Sequence, residues 1–451
     1  MSGWQGETID ELRGALARGA TTSVRLTEQC LQRIAALNPR LNAFISVSAD
    51  AAIAAAHAAD TARASGAPAS ALHGIPISLK DLIDQVGVPT TAGSQVRRDA
   101  VATRNAIVTT RLTAAGAVIV GKTNLHEFAF GTTNDDSGFG GARHPVDDTR
   151  SPGGSSGGSA IAVRTGMSIA SIGTDTGGSI RIPAGLCGVV GLKPGWNEIP
   201  ADGVVPLSRQ LDHVGPLTRT VTDAWLVHET LAGRPPGVTD RLEPISVKGL
   251  RFGLLAGYFD TRISPDVRSS VAEAVERLAR AGAVIEPVEI AHAADIGPVY
   301  LHLVLGDAAA YHAATLEARP GDYTPPVRLR LEMGRYVLAE DYARALRGRE
   351  VIAAEIDRAL AGRVALLTPT VPVTAPPIGA GNVPVGDGEE PVRNAMLRLT
   401  QPFNLGRQPA LSLPCGVSPT GLPVGLQIVG ARGATTALLR VAAACEQILA
   451  E

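Results

Sequence analysis

The sequence predicts an α/β fold in which helices cover a β-sheet, and two observations lead to this prediction. Amphipathic helical patterns alternate along the chain with short apolar segments of strand length, and repeated units of this kind build a sheet with helices packed against it. The chain also contains enough apolar material for a large core, because 45% of its 451 residues are hydrophobic and only 19% are charged.

The first third of the chain shows this alternation clearly. Thr8 and Glu11 have the spacing of a capping box, which predicts that a short helix begins there. A second helix follows in SVRLTEQCLQRIAAL, and residues 49–64 form an alanine-rich third helix that ends at a glycine. The apolar segment GIPISLK is predicted to be a strand, and NAIVTTRLTAAGAVIVGKTN to be a helix followed by a strand over 117–120.

The pattern continues beyond the best candidate for an interdomain linker, residues 232–249. The segment before it, VTDAWLVHETL, is predicted to be a helix. After it come the strand LRFGLLAG, the helix PDVRSSVAEAVERLARAG and the strand AVIEPVEI. Although length alone suggests about three domains, this continuity favours one extended sheet.

Charge and composition exclude several classes of partner. The chain has 41 basic and 43 acidic residues, so no global field attracts nucleic acid or an anionic membrane, and a small molecule is the expected partner. No N-terminal leader pattern and no run of 18 apolar residues is present, which predicts a cytoplasmic protein without a membrane span. The four cysteines have neither zinc-site nor CxxC spacing and are expected to be buried free thiols. Without HExxH or an acidic cluster, we expect no metal and no cofactor.

The glycine–serine segment SPGGSSGGSA, residues 151–160, raises the question of chemistry. It is not a Walker loop, because Ser159 and Ala160 stand where that motif requires Lys and Ser or Thr. It is a poor flexible linker, because the apolar AIAV follows at once. Tight turns in a packed core and a rigid catalytic backbone both remain open from this segment alone.

Two other positions favour the catalytic interpretation. Ser179 follows Gly177 and Gly178, whose unobstructed N–H groups could converge on a developing oxyanion, so Ser179 is the candidate nucleophile. No GxSxG elbow supports a histidine base. Lys80 closes an apolar strand where burial would lower its pKa and make it a base. The alternative for Lys80 is a structural ion pair with Asp81 or Asp84.

Three segments together, GIPISLKD, SPGGSSGGSA and GTDTGGSIRIPAGLCGVVGLKP, resemble in order and spacing the hallmark of the amidase signature family of serine hydrolases. The resemblance is dense over about 72–224 and looser around LLTPTVPVTAPP and PALSLPCGVSPTGLPVGLQIVG. It therefore implies one domain over 1–451 with the amidase signature fold, a large mixed central β-sheet covered on both faces by helices.

The resemblance also implies a Ser–cisSer–Lys triad. Lys80 lies 75 residues before Ser155, and Ser179 lies 24 residues after it, as in the family's lysine, cis-serine and nucleophile. The other residues that it implies are an oxyanion hole of Thr176, Gly177 and Gly178, completed by the N–H of Ser179, and the supporting residues Ser156, Thr174, Asp175 and Arg181. A purely structural role stays equally open for each supporting residue.

The function implied is that of a free-standing amidase. It would cleave the C–N bond of a small carboxamide, anilide or carbamate through an acyl-enzyme, with esterase and urethanase side activity, and a homodimer is common among such relatives. The alternative is the glutaminase (A) subunit of a tRNA-dependent amidotransferase, which the segment 133–145 disfavours because it departs from that subunit's pattern. Pocket walls are expected from residues 302–312, 321–337 and 378–404; the aromatic and apolar candidates are Phe128, Phe130, Phe139, Leu305 and Tyr323.

Overall fold

The computed structural model describes residues 7–66, 70–237 and 239–450. Within these ranges the strands are, in chain order, β1 (Phe44–Val47), β2 (Pro76–Lys80), β3 (Val118–Thr123), β4 (Ala170–Asp175), β5 (Val190–Lys193), β6 (His213–Thr218), β7 (Arg251–Leu255), β8 (Val284–Val288), β9 (Ala365–Pro369), β10 (Asn382–Val385), β11 (Gly388–Pro391), β12 (Ala410–Val417) and β13 (Pro423–Val429). The α-helices are α1 (Ile9–Ala17), α2 (Ser23–Leu41), α3 (Ala49–Ala64), α4 (Ile107–Ala114), α5 (Gly157–Thr165), α6 (Arg181–Cys187), α7 (Val221–Leu231), α8 (Pro265–Arg280), α9 (Ile296–Ala318), α10 (Pro325–Gly334), α11 (Ala339–Leu360), α12 (Val392–Arg398), α13 (Pro402–Leu405) and α14 (Thr435–Ala450).

Eleven of these strands form one mixed sheet in the order β1-β3-β2-β4-β6-β5-β12-β13-β9-β7-β8, and β10 and β11 form a separate hairpin. Neighbours are parallel in β3-β2-β4 and in β9-β7-β8, and antiparallel from β4 through β13 to β9. Every residue of β2, β3 and β4 is buried. Because successive side chains of a strand point to opposite faces, both faces of the sheet are covered there. The predicted α/β fold with a large mixed sheet is confirmed.

The predicted elements agree with the structure, with one difference of extent. The capping box of Thr8 and Glu11 is formed at the start of α1. The strand that we predict over 117–120 instead spans β3 and continues to Thr123. Its end is hidden in the apolar pattern because Lys122 is fully buried and pairs with Asp81 at 2.8 Å.

The linker candidate at 232–249 does not separate two sheets. The strands β7 and β8, which follow it, join β9 in the same sheet as the strands that precede it. The expectation of one extended sheet is confirmed, and a single domain over 1–451 stays a prediction.

The remaining global features concern cysteines, membranes and metals. Cys30, Cys187 and Cys445 are buried free thiols and Cys415 is a partly buried one. In the part of the chain that the structure describes, no helix combines the length and the apolar character that crossing a membrane requires. No cluster of three metal-ligating side chains is found within those same ranges.

Candidate active site

Two parallel neighbouring strands, β2 and β4, position the first site residues. They pair through Ile77 with Ala170 and Leu79 with Ile172, so their carboxyl ends lie at the same edge of the sheet. Lys80 is the last residue of β2, and Thr174 and Asp175 are the last two of β4. Ligand sites of α/β sheets commonly form beyond the carboxyl ends of parallel strands.

Lys80 contacts two hydroxyl groups at that edge. Its Nζ donates to Ser155 Oγ at 2.7 Å and to Thr174 Oγ1 at 2.9 Å, and the side chain is inaccessible to solvent. Burial lowers the pKa of Lys80 to about 7, although the charges of Asp175 and Asp212 act in the opposite direction. The alternative ion pair with Asp81 or Asp84 is not formed among the described residues, since Asp81 pairs with Lys122.

The glycine–serine segment is buried, ordered backbone. The peptide bond between Gly154 and Ser155 is cis, as the resemblance implies. The Gly154 N–H donates to the Thr132 carbonyl at 2.6 Å, and the Ser155 carbonyl accepts from the His126 N–H at 3.1 Å. These contacts hold Ser155 beside Lys80, and the segment is neither a linker nor a phosphate cradle.

The loop after β4 presents Ser179 and its two preceding glycines. A Cβ at Gly177 would lie 2.4 Å from Tyr300 Oη, and one at Gly178 would lie 2.2 Å from Thr400 Oγ1. Gly178 also has a φ of +145°, which side-chain-bearing residues rarely adopt. The N–H groups of residues 176–179 donate to no acceptor among the described residues. The loop therefore requires glycine and leaves its backbone donors available.

A buried ion pair supports this loop. Arg181 and Asp175 form a two-pronged contact at 2.9 and 3.0 Å, and Asp175 also accepts from the N–H of Ile180. Although burial alone raises the pKa of Asp175, the Arg181 guanidinium holds it well below its usual range. Ser156 links the two halves of the site, because its N–H donates to the Ser179 carbonyl at 3.2 Å and its Oγ donates to the Thr174 carbonyl.

Sequence reasoning missed the residues that support the loop from outside the signature region. Arg181 also donates to the Thr400 carbonyl, to Gln427 and to Asn404. These partners come from distant segments and carry no local pattern.

Asp212 is another residue that the motifs do not reveal. Its carboxylate accepts from Thr176 Oγ1 at 2.6 Å and from the N–H groups of Leu207 and Ser208. Burial raises the pKa of Asp212 to about 6. The one signal in the sequence is an isolated acid within the apolar stretch around Val214.

Ser179 lies in the wall of a small cavity. The cavity is lined by Ala129, Phe130, Gly131, Thr132, Thr176, Ser179, Leu207, Tyr300, Arg393 and Leu397. The predicted wall segment 378–404 therefore supplies Arg393 and Leu397. Segment 302–312 lines an adjoining cavity through Asp307, Ala310 and Tyr311. From segment 321–337, Arg330 contacts Phe130.

The aromatic and apolar candidates divide between the cavity and the core. Phe130 lines the cavity beside Ser179. Phe128 packs on Tyr323 in the hydrophobic core, and Leu305 lies in the same core. Phe139 is partly buried, and its carbonyl accepts from Asn42.

Comparison with known proteins agrees with this geometry. A model of the amidase family matches residues 25–439. The glutaminase-bearing A chain of curated relatives is represented by a glutamyl-tRNA(Gln) amidotransferase protein of Roseiflexus sp. (strain RS-1), which is 37% identical over 475 aligned positions that cover 98% of this chain and 96% of that protein. A crystal structure described as an amidase superposes with a TM-score of 0.92 at 38% identity, covering 98% and 99% of the two chains. The peptide amidase from Stenotrophomonas maltophilia gives 0.85 at 32% identity, covering 98% and 97%. The chain belongs to the amidase (amidase signature) family.

Proposed function

We propose that this chain hydrolyses the C–N bond of a small amide through Ser179, Ser155 and Lys80. The observation that supports the proposal best is the 2.7 Å contact between Lys80 Nζ and Ser155 Oγ. It lies in a buried environment that lowers the pKa of Lys80 to about 7. A lysine with such a pKa is partly neutral near pH 7 and can accept a proton, which an ordinary surface lysine cannot do.

The proposed reaction proceeds through an acyl-enzyme. Neutral Lys80 accepts the proton of Ser155, Ser155 accepts the proton of Ser179, and Ser179 Oγ attacks the carbonyl carbon. The free N–H groups of residues 176–179 stabilise the oxyanion. The relay then returns a proton to the departing nitrogen, the C–N bond breaks, and water hydrolyses the serine ester. For a carbamate acylated through its carbonyl, the same steps end in release of carbon dioxide.

Two finer functions remain candidates. The curated relatives support the glutaminase subunit of a tRNA-dependent amidotransferase better than a free-standing amidase, because the relative of Roseiflexus is named as a chain of such an enzyme at 37% identity. The similarity to a peptide amidase supports a free-standing enzyme. The two candidates share Ser179 chemistry and differ in substrate and in the need for partner chains.

A substrate panel tests the proposed function and separates the candidates. We expect the purified chain to release ammonia, amine or phenol from at least one of L-glutamine, benzamide, a p-nitroanilide, a p-nitrophenyl ester and an aryl carbamate. Turnover of simple amides by the chain alone favours the free-standing amidase, and turnover of glutamine alone, only with copurifying chains, favours the glutaminase subunit. Failure of every substrate, with and without copurifying chains, contradicts the proposal. Gel filtration of the same sample tests the predicted homodimer.

Asp212 is expected to tune the base and position the oxyanion loop. In Asp212→Asn the negative charge that raises the pKa of Lys80 is removed, so the midpoint of the pH–rate profile should move to lower pH. The same change weakens the hydrogen bond from Thr176, and we expect kcat/KM to fall by about tenfold to a hundredfold. The measurement is kcat/KM against pH for the best substrate of the panel.

Thr176→Val is the matched control for Asp212→Asn. It removes the same hydrogen bond and leaves the Asp212 charge, so its midpoint should equal that of the wild type. An unshifted midpoint in folded Asp212→Asn would show that Asp212 does not act on Lys80.

A further inference from the structure

The arginine in the wall of the Ser179 cavity has no role in the reaction described so far. Arg393 is the second residue of α12. It lines the same cavity as Ser179, and its guanidinium carbon lies 6.0 Å from the centre of the Phe130 ring, which lines the cavity too. A cation is thus fixed beside the nucleophile.

Arg393 lacks the polar partners that buried arginines usually have. Its Nε is buried without a hydrogen-bond partner, and within 7–66, 70–237 and 239–450 no carboxylate forms an ion pair with it. By contrast, Arg398 on the same helix donates to the carbonyls of Tyr258 and Thr261. Burial lowers the pKa of Arg393, which reflects the cost of keeping this cation away from water.

A second guanidinium lies against the same ring and adds to the positive charge. Arg330 is 5.9 Å from the centre of Phe130, donates to the Phe130 carbonyl, and has the charge of Asp136 nearby. Each of the two arginines lowers the pKa of neighbouring His126, which burial already lowers well below its usual range. His126 is therefore neutral near pH 7, and Arg393 is the cation at this wall whose charge is not compensated.

We propose that Arg393 binds a carboxylate of the substrate, so that the amide cleaved at Ser179 belongs to a small anionic molecule. The inference rests on the proposed function and names its substrate class. A planar guanidinium with free donors matches a carboxylate in charge and in geometry. Removing one partner of a buried charge is costly, and the bound substrate supplies the partner that the protein does not.

The same wall disfavours glutamine as the substrate. The described residues that line the Ser179 cavity include no aspartate or glutamate. The α-carboxylate of glutamine could reach Arg393, but its α-ammonium group would then lie in a cavity without an opposite charge. An anionic amide without an amino group fits the cavity better.

Matched pairs of amides test this inference. Malonamate, succinamate and glutaramate are compared with propionamide, butyramide and valeramide, in which a methyl group replaces the carboxylate. N-acetylglycine and N-ethylacetamide form the pair with the charge on the amine side. For at least one pair we expect wild-type kcat/KM to favour the anion at least about tenfold, and Arg393→Gln to reduce that ratio by about tenfold or more. Arg393→Lys should retain part of the preference.

Arg328→Gln provides the control for loss of one positive charge. Arg328 is an exposed residue of α10 paired with Glu332, and its replacement should leave the ratio unchanged. Calorimetric binding of the same pairs to Ser179→Ala measures the preference without turnover. Equal binding of anion and neutral analogue in every pair, or an unchanged ratio in Arg393→Gln, overturns the inference.

A separate readout keeps the proposed function distinguishable from this inference. Phenylmethylsulfonyl fluoride should label Ser179 in the wild type and in Arg393→Gln, whatever the charge of the substrate. Labelling with no preference for the anion overturns the substrate class and leaves the serine chemistry standing. Absence of labelling contradicts the proposed nucleophile instead.

Discussion

Replacing Ser179 by alanine is expected to reduce kcat for amide cleavage by about 10⁴-fold or more, because no acyl-enzyme can form without the attacking oxygen. Ser179 is 5% exposed and lines the cavity, so the hydroxyl is accessible to a substrate while its surroundings exclude bulk water. The loss of a single hydroxyl next to two glycines leaves the backbone of residues 176–179 intact. We therefore expect the variant to fold and to bind substrate.

Mass spectrometry after treatment with phenylmethylsulfonyl fluoride measures the same change independently of the substrate. The adduct should appear on the peptide that contains Ser179 and be absent from Ser179→Ala. Ser159→Ala is the matched control, since Ser159 belongs to the same glycine–serine segment as Ser155 but its hydroxyl pairs with Thr123 at 2.8 Å. A Ser179→Ala enzyme that still cleaves amides at the wild-type rate would contradict the mechanism.

The local part of this site could be predicted from the sequence. Lys80, Ser155 and Ser179 stand in motifs whose spacing identifies them, and the glycines before Ser179 indicate a backbone that side chains would obstruct. The open alternative for Lys80, an ion pair with Asp81, fails for a reason that the apolar pattern hides. Lys122 is the partner of Asp81, and it lies on the neighbouring strand β3.

The supporting residues could not be predicted, because they depend on strand order. Thr400 and Asn404 reach Arg181 only because β12 and β13 enter the sheet beside β5, which lies more than two hundred residues earlier in the chain. Periodicity identifies a strand and its buried side chains but does not specify which strand lies next to it. The same holds for Arg393, whose position at the cavity follows from packing between distant segments.

Replacing Lys80 by methionine is expected to reduce kcat/KM by about 10³-fold and to remove the pH dependence that the base imposes. Methionine has a similar length and is apolar, so it suits a position that is inaccessible to solvent. In the wild type only the neutral amine accepts a proton. Since burial lowers the pKa of Lys80 to about 7, kcat/KM should rise about tenfold per pH unit below pH 7 and level off above it.

A second buried lysine makes the assignment of that pKa a real question. Lys193, at the end of β5, is also fully buried, and burial lowers its pKa well below the usual range. Its Nζ donates to the carbonyls of Pro194 and Gln408 rather than to a serine hydroxyl. Only a lysine bonded to Ser155 can start the proposed relay. Lys193→Met should therefore keep the rising limb with its midpoint near pH 7, whereas Lys80→Met should lose it. If the limb disappears in Lys193→Met and persists in Lys80→Met, the base has been assigned to the wrong strand.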